Sequence, residues 1–283
     1  MNNDGSEKND THAPLKPGVL SPEGALSGLG RPGGKKVVVL GTGGTIAGRA
    51  STLRDEVGYI AGVVPVADLL AGLPLPEGLL IEHEQVGQAD SKDMTLALWQ
   101  RLGQSVARHL ARPEVMGIVV THGTDTLEET AWFLHRVLAP TKPVVLTCAM
   151  RPATALAPDG PQNLCDAVLV AADERVRGVV VVCAGWLHGA EEVVKVHTWR
   201  TDAFDSGDAG PLGMIEAGGL RLFRQPAVGR VERGLWERVQ AAQALPWVEL
   251  VFSYADTQGY LVRSLLAMQG AADIPPLRGL VVA

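Results

Sequence analysis

The chain has 283 residues, of which 46% are hydrophobic and 20% charged, and its formal net charge is −6. That length predicts one large or two modest domains, and the composition is that of an ordinary soluble globular protein. The acidic balance gives no electrostatic case for nucleic-acid binding. No apolar run reaches the ~20 residues of a membrane helix. The Met1 end has no hydrophobic signal-peptide core, so a cytoplasmic protein is expected.

In chain order, residues 1–34 are rich in Gly, Pro, Ser and Asn, lack aromatic residues, and read as a disordered tail. From Lys36 onward apolar strand-like runs alternate with helical patterns. The pattern predicts strands over 36–40, 79–85, 117–121, 143–147 and 178–184, and helices over 64–72, 92–110, 126–138 and 162–173. This alternation implies βαβ units, and so an α/β fold with a mostly parallel, doubly wound sheet of flavodoxin-like type. In such sheets ligands bind at the carboxyl ends of the strands. After Trp186 the texture changes. A hairpin is expected around Gly218-Gly219, then a linker or crossover over 226–244. Strand 248–253, helix 257–269 and strand 279–283 then begin a smaller α/β unit. The expected organisation is therefore a tail (1–34), a main α/β domain (35–225), a linker (226–244) and a partial C-terminal α/β domain (245–283).

The three cysteines, Cys148, Cys165 and Cys183, are odd in number and show no close pairing pattern. They fit a reducing compartment better than a disulfide framework. Buried small hydrophobes are the expected role.

The strand ends carry the chemistry. The first strand runs into "GTGGTIAG". A phosphate loop is excluded because no Lys follows the glycines, and GxGxxG fails because Ile46 occupies the third glycine position. Thr45 is then the unexplained residue, a β-branched hydroxyl in a turn otherwise built of glycine and alanine. The second strand ends in "GQADSKDMT", with Ser91 where a helix N-cap belongs. The third ends in "VVTHGTDTLEETAWFL". There Thr126 and Glu129 have capping-box spacing, and Leu127, Ala131, Leu134 and Leu138 form an apolar stripe. His122, Gly123, Thr124 and Asp125 are left on the loop without a packing reason, although a lone His122 is more often structural. The fourth strand ends in "CAMRPATALAPDGPQN", where Pro161 suits a helix start and Arg151 and Asp159 either bind ligand or pin the loop. Lys195 follows the fifth strand among Val193, Val194 and Val196. It either snorkels to solvent or, if buried near a carboxylate, serves as a base. No nucleophile elbow and no metal-ligand spacing appear. Hydroxyl, lysine and aspartate together suit nucleophilic attack on a carbonyl.

"TGGTIAG" together with "THGTDTLEETAWFL" strongly resembles the bacterial-type L-asparaginase/glutaminase family. "DSKDMT", "KPVVLTCAMRPATALAPDGPQN" and "KVHTWRTDAFDS" resemble it too, in the same order, and the likeness runs from about Lys35 to the last residue. The resemblance implies hydrolysis of the side-chain amide of L-asparagine by a threonine nucleophile, with no cofactor or metal and with possible side activity on glutamine. It implies that Thr45 is the usual candidate nucleophile and that Tyr59, in a mobile lid, touches its hydroxyl. Thr124, Asp125 and Lys195 match the family's second threonine, aspartate and lysine. Ser91 matches the holder of the substrate α-carboxylate, Asp125 that of its α-amino group, and Asp90 joins the substrate-binding set. Ala149 matches the residue whose carbonyl receives the amide NH₂. The family also implies a homo-oligomer, a dimer or tetramer.

Three positions depart from the family pattern: Asp256 where Asn is common, Cys148 in place of Gly or Ala, and Lys92 in place of a small or amide side chain. Family members continue for several dozen residues past the last strand, so the chain is expected to lack the end of its C-terminal domain. A silent amino-acid-binding protein and an amidase with another substrate are the rival readings.

Overall fold

The structure is a computed structural model, and it describes residues 34–55, 57–230, 232–271 and 273–283. Apart from Gly34, the expected tail lies outside the described residues. The chain enters through β1 (Lys36–Gly43), a 3-10 turn over Thr45–Ala47, α1 (Val66–Leu70) and β2 (Leu80–Ala89). A second 3-10 turn (Ser91–Asp93) leads to α2 (Leu96–Leu110), β3 (Val115–Thr121), α3 (Leu127–Leu138), β4 (Val144–Thr147), α4 (Gly160–Ala171) and β5 (Val179–Cys183). Short strands follow: β6 (Trp186–Gly189), β7 (Val194–Lys195), β8 (Phe204–Asp205), β9 (Gly213–Glu216) and β10 (Gly219–Leu222). The chain then forms α5 (Leu235–Ala241), β11 (Trp247–Val251), α6 (Tyr260–Ala267) and β12 (Leu277–Val282).

Eight strands form the central sheet in the order β10-β9-β6-β5-β4-β3-β1-β2. From β2 through β5 every pairing is parallel, and β6, β9 and β10 extend the sheet antiparallel. The mostly parallel α/β sheet is therefore as its sequence pattern implies. The parallel part reads 2-1-3-4-5, so the chain leaves β1 toward one edge and β3 toward the other. The crevice beyond the carboxyl ends of these two neighbours is the topological switch point, where such sheets bind ligands.

Alternation along the strands builds two cores. Val38 and Leu40 join Ile118, Val120, Leu146 and Val181 on one face, under Leu102 and Val106 of α2 and Leu127 and Leu134 of α3. Val37 and Val39 join Val119, Val145 and Val180 on the other, under Leu164, Ala167 and Val168 of α4. Both faces are covered, so the strands are continuous apolar runs rather than alternating ones. Burying each of these large side chains contributes ~1.5–3 kcal/mol.

Several local expectations are corrected. The N-cap of α2 is Thr95, whose side chain accepts the Leu98 N–H, and Ser91 instead opens the preceding 3-10 turn with Asp90 as its cap. Thr126 is the N-cap residue of α3 but makes no capping hydrogen bond, so no capping box forms. The run through Gly185 is two strands, because Ala184 (φ 50°) and Gly185 (φ 78°) reverse the chain between β5 and β6. The later hairpin turns one residue earlier than expected, on Ala217 and Gly218. Within the stretch read as linker, α5 lies on α2. A Cβ on Gly103 would sit 2.4 Å from the Trp236 ring, and Gln100 Nε2 donates to the carbonyls of Val239 (2.8 Å) and Ala242 (2.9 Å). In the last unit β11 and β12 pair in parallel.

Candidate active site

Two loops meet at the switch point because neither carries a side chain where they touch. Gly44 has φ 78°, and a Cβ there would lie 2.3 Å from the backbone of Gly123. A Cβ on Gly123 would in turn lie 2.5 Å from Ser91 Oγ. Glycine is therefore required at both positions, by conformation at the first and by close approach at both. The result places Thr45 (after β1), Ser91 (after β2) and Thr124 (after β3) on three loops that pack together. All three are buried.

Thr45 Oγ1 lies 2.7 Å from Tyr59 Oη. Tyr59 is carried by a loop fastened at its base, where the Arg49 and Ile60 backbones exchange hydrogen bonds of 2.9 and 3.0 Å and Gly62 N–H donates to Gly44 O. Thr45 itself follows Gly44 in the 3-10 turn, whose Ile46 and Ala47 pack with Val64 and Ala149. Ala149 is thus joined to the Thr45 turn by apolar contact. Its loop is pinned by Asp159, which accepts the N–H groups of Met150 (2.9 Å) and Arg151 (3.0 Å), and by Asn163, which donates to Cys148 O. Of the two roles open to Asp159, the observed contacts are those of a loop pin.

Thr124 belongs to a second constellation. Lys195 Nζ donates to Thr124 Oγ1 at 2.8 Å and to Asp125 Oδ1 at 2.7 Å. The Lys195 side chain is 18% exposed and that of Asp125 54% exposed. The lysine thus does not snorkel away, and the carboxylate still faces outward. Asp125 N–H donates to Ser91 Oγ (3.1 Å), and Thr126 Oγ1 donates to Ser91 O (2.8 Å). The start of α3 therefore locks the Ser91 turn through its Oγ and its backbone carbonyl. Asp90 and Lys92 form an ion pair of 2.7 Å beside it, with Asp93 also on Lys92.

His122 is fully buried, and burial lowers its pKa to about 4, so the ring is neutral. With Gly123 O as acceptor, Nδ1 carries the proton (2.8 Å) and Nε2 accepts from Thr130 Oγ1 (2.9 Å), which accepts from Trp99 Nε1 (2.9 Å). This relay orients the Gly123–Thr124 peptide from behind. The thiols Cys148 and Cys183 are buried, 3.8 Å apart, and the hydrogen bond to Cys183, followed by burial, raises the Cys148 pKa.

Six of the expected residues, Thr45, Tyr59, Ser91, Thr124, Asp125 and Lys195, are brought into these linked contacts, with Ala149 packed alongside and Asp90 at the rim. Two residues of the arrangement were not singled out for the site from the sequence: Thr126, and Glu128, whose Oε2 accepts the Lys195 backbone N–H. The visible signal was their place in the first turn of a helix following a strand-end loop. Among the described residues no group of three or more His, Cys, Asp or Glu residues is arranged to hold a metal ion. No helix is long and apolar enough there to cross a membrane.

Hydroxyl, ammonium and carboxylate groups are gathered at the switch point of a parallel α/β sheet, a combination of the kind used for nucleophilic attack on a carbonyl. The chain belongs to the asparaginase family: residues 36–228 match the family model described as "Asparaginase, N-terminal". It is 38% identical over 241 residues to the glutaminase-asparaginase of Pseudomonas fluorescens biotype A, covering 84% of this chain and 66% of that protein. It is 36% identical over 233 residues to L-asparaginase 2 of Escherichia coli (strain K12), covering 81% of this chain and 66% of that protein. The chain thus spans about two thirds of the length of these relatives. A solved structure, that of the probable cytoplasmic L-asparaginase from Campylobacter jejuni, superposes with a TM-score of 0.76 at 34% identity, covering 88% of this chain and 75% of that one.

Proposed function

We propose that the protein is an L-asparaginase, hydrolysing L-asparagine to L-aspartate and ammonia with a threonine nucleophile. One observation carries this reading. Two hydroxyls stand on loops in backbone contact, and each already touches a proton-carrying partner, Thr45 with Tyr59 and Thr124 with Lys195. In this reading the Ser91 turn binds the substrate α-carboxylate and Asp125 its α-ammonium, so the pair selects a free α-amino acid. Asp90 lines the same subsite. Thr45 Oγ attacks the side-chain carbonyl carbon, and its proton passes through Tyr59 Oη, which releases its own proton as it takes this one, to the leaving nitrogen. The C–N bond breaks, with the NH₂ group held toward Ala149 O, and ammonia departs. Water then cleaves the Thr45 ester, with Thr124, Lys195 and Asp125 relaying one of its protons to the departing Thr45 Oγ, which restores the hydroxyl. Loop N–H groups at the strand ends stabilise the oxyanion in both steps.

The names of the Pseudomonas and E. coli relatives support the amide substrate, and the former supports a side activity on glutamine. The reading includes a catalytic domain over 35–225, a connecting segment over 226–244 that carries α5, and a C-terminal unit over 245–283. It also includes a homo-oligomer and a cytoplasmic location, the latter in keeping with the C. jejuni relative.

A substrate panel tests the selection of a zwitterion. L-asparagine is expected to be turned over faster than L-glutamine. An asparagine whose α-carboxyl is amidated should lose at least ~10² in kcat/KM, because Ser91 and its turn are left without their charged partner. Equal turnover of the amidated compound would contradict the assignment of Ser91 and Asp125.

A further inference from the structure

We propose that Glu128 is a positioning residue for Lys195, holding the lysine by its backbone while Thr124 and Asp125 hold it by its side chain. The inference rests on the function proposed above. Lys195 sits in the two-residue strand β7, which among the described residues pairs only with β8, in its own small sheet and not with the central one. Val193 before it and Phe204, its partner across β8, are buried in the core, but the residues on either side of Lys195 give it little anchorage, Val194 being 48% exposed and Val196 61% exposed. What fixes the backbone at Lys195 from the side of the site is Glu128 Oε2, which accepts the Lys195 N–H at 2.5 Å. Glu128 lies in the first turn of α3, three residues after Asp125. One helix start therefore grips the same residue twice, at Nζ through Asp125 and at the amide through Glu128.

The physical reason for two grips is the length of lysine. Four methylenes separate Nζ from the Cα, so a side-chain contact alone leaves the ammonium free to swing about its own stem. A charge-assisted hydrogen bond from the peptide N–H to a carboxylate is strong and directional, and fixing the backbone fixes where the stem begins. A carboxylate is well placed at a helix N-terminus in any case. That alone would be satisfied by a Glu pointing to solvent, whereas this one crosses to a segment 67 residues away in sequence. A displacement of about 1 Å at a group that moves a proton costs up to ~10² in rate.

The test uses the full chain with Glu128→Ala and Glu128→Gln. Glu128→Ala is expected to lower kcat for L-asparagine about 10- to 100-fold with KM within about threefold, because Ser91 and Asp125 still bind the zwitterion. Glu128→Gln keeps a carbonyl oxygen that accepts the same N–H, so most of the lost kcat should return. An independent readout is NMR hydrogen exchange of the Lys195 amide. It should be protected in the parent and in Glu128→Gln, and should exchange at least ~10 times faster in Glu128→Ala. A Glu128→Ala protein that keeps kcat within twofold, or a Glu128→Gln protein as slow as Glu128→Ala, would overturn the proposal. An unprotected Lys195 amide in the parent would overturn it too, and this measurement stands even if Glu128→Ala fails to fold. A parent that hydrolyses no amide refutes the proposed function, and the exchange data then still decide whether Glu128 fixes Lys195.

Discussion

Thr45→Ala is expected to lower kcat for L-asparagine by at least ~10²-fold while leaving the fold nearly as stable as before. Alanine keeps the Cβ and the backbone geometry, so the packing of Ile46 and Ala47 against Val64 and Ala149 is retained. What disappears is the Oγ1 that lies 2.7 Å from Tyr59 Oη. Losing one such hydrogen bond costs ~1 kcal/mol of stability. Losing a positioned catalytic group costs at least ~10² in rate, equivalent to ~2.7 kcal/mol in the barrier. The two numbers separate the explanations. A structural threonine would show mainly the stability loss, and a nucleophile mainly the rate loss. Thermal unfolding and steady-state kinetics on the same preparation check this. Near-parental kcat in Thr45→Ala would remove Thr45 from the mechanism.

Lys195→Met is expected to have an effect of similar size for a different reason. Methionine nearly preserves length and apolar bulk but carries no proton and no charge. Thr124 Oγ1 loses its 2.8 Å donor and Asp125 its 2.7 Å cation. Because the Asp125 side chain is 54% exposed, water screens the freed carboxylate, and the stability loss should stay near ~1 kcal/mol or below. Binding of asparagine should change little, since Asp125 remains available to the substrate ammonium. The rate should fall at least ~10²-fold, because among the described residues no other group in contact with Thr124 Oγ1 moves a proton there. Lys195→Arg should recover little, because a planar guanidinium does not give up its proton and fits the site differently. A Lys195→Met protein with undiminished kcat would return the lysine to a purely structural role.

The parallel sheet was legible in the sequence because its strands are buried on both faces and so appear as unbroken apolar runs, as in Val37–Leu40 and Val179–Val182. The candidate site stood out in the sequence because Thr45, Thr124 and Asp125 stand at strand ends among glycines, where packing gives no reason for them. The β5–β6 reversal was not, because Ala184-Gly185 is a weak turn signal and the apolar run continues through it. The Ser91 cap was misplaced because two serine or threonine residues, Ser91 and Thr95, precede the helix, and only tertiary contact with Asp125 assigns Ser91 elsewhere. Helix α5 was hidden because its anchor is long-range, Trp236 against Gly103. Glu128 was hidden for the same reason, its partner being the backbone of a distant residue.

The central claim is that these strand-end hydroxyls hydrolyse the side-chain amide of asparagine. The most direct measurement is the release of ammonia and L-aspartate from L-asparagine by the 283-residue chain, alongside calorimetric binding of the same amino acid. Equal amounts of the two products are expected over many turnovers, with both lost in Thr45→Ala. Binding of asparagine with no release of ammonia would contradict it and leave an amino-acid-binding protein in its place.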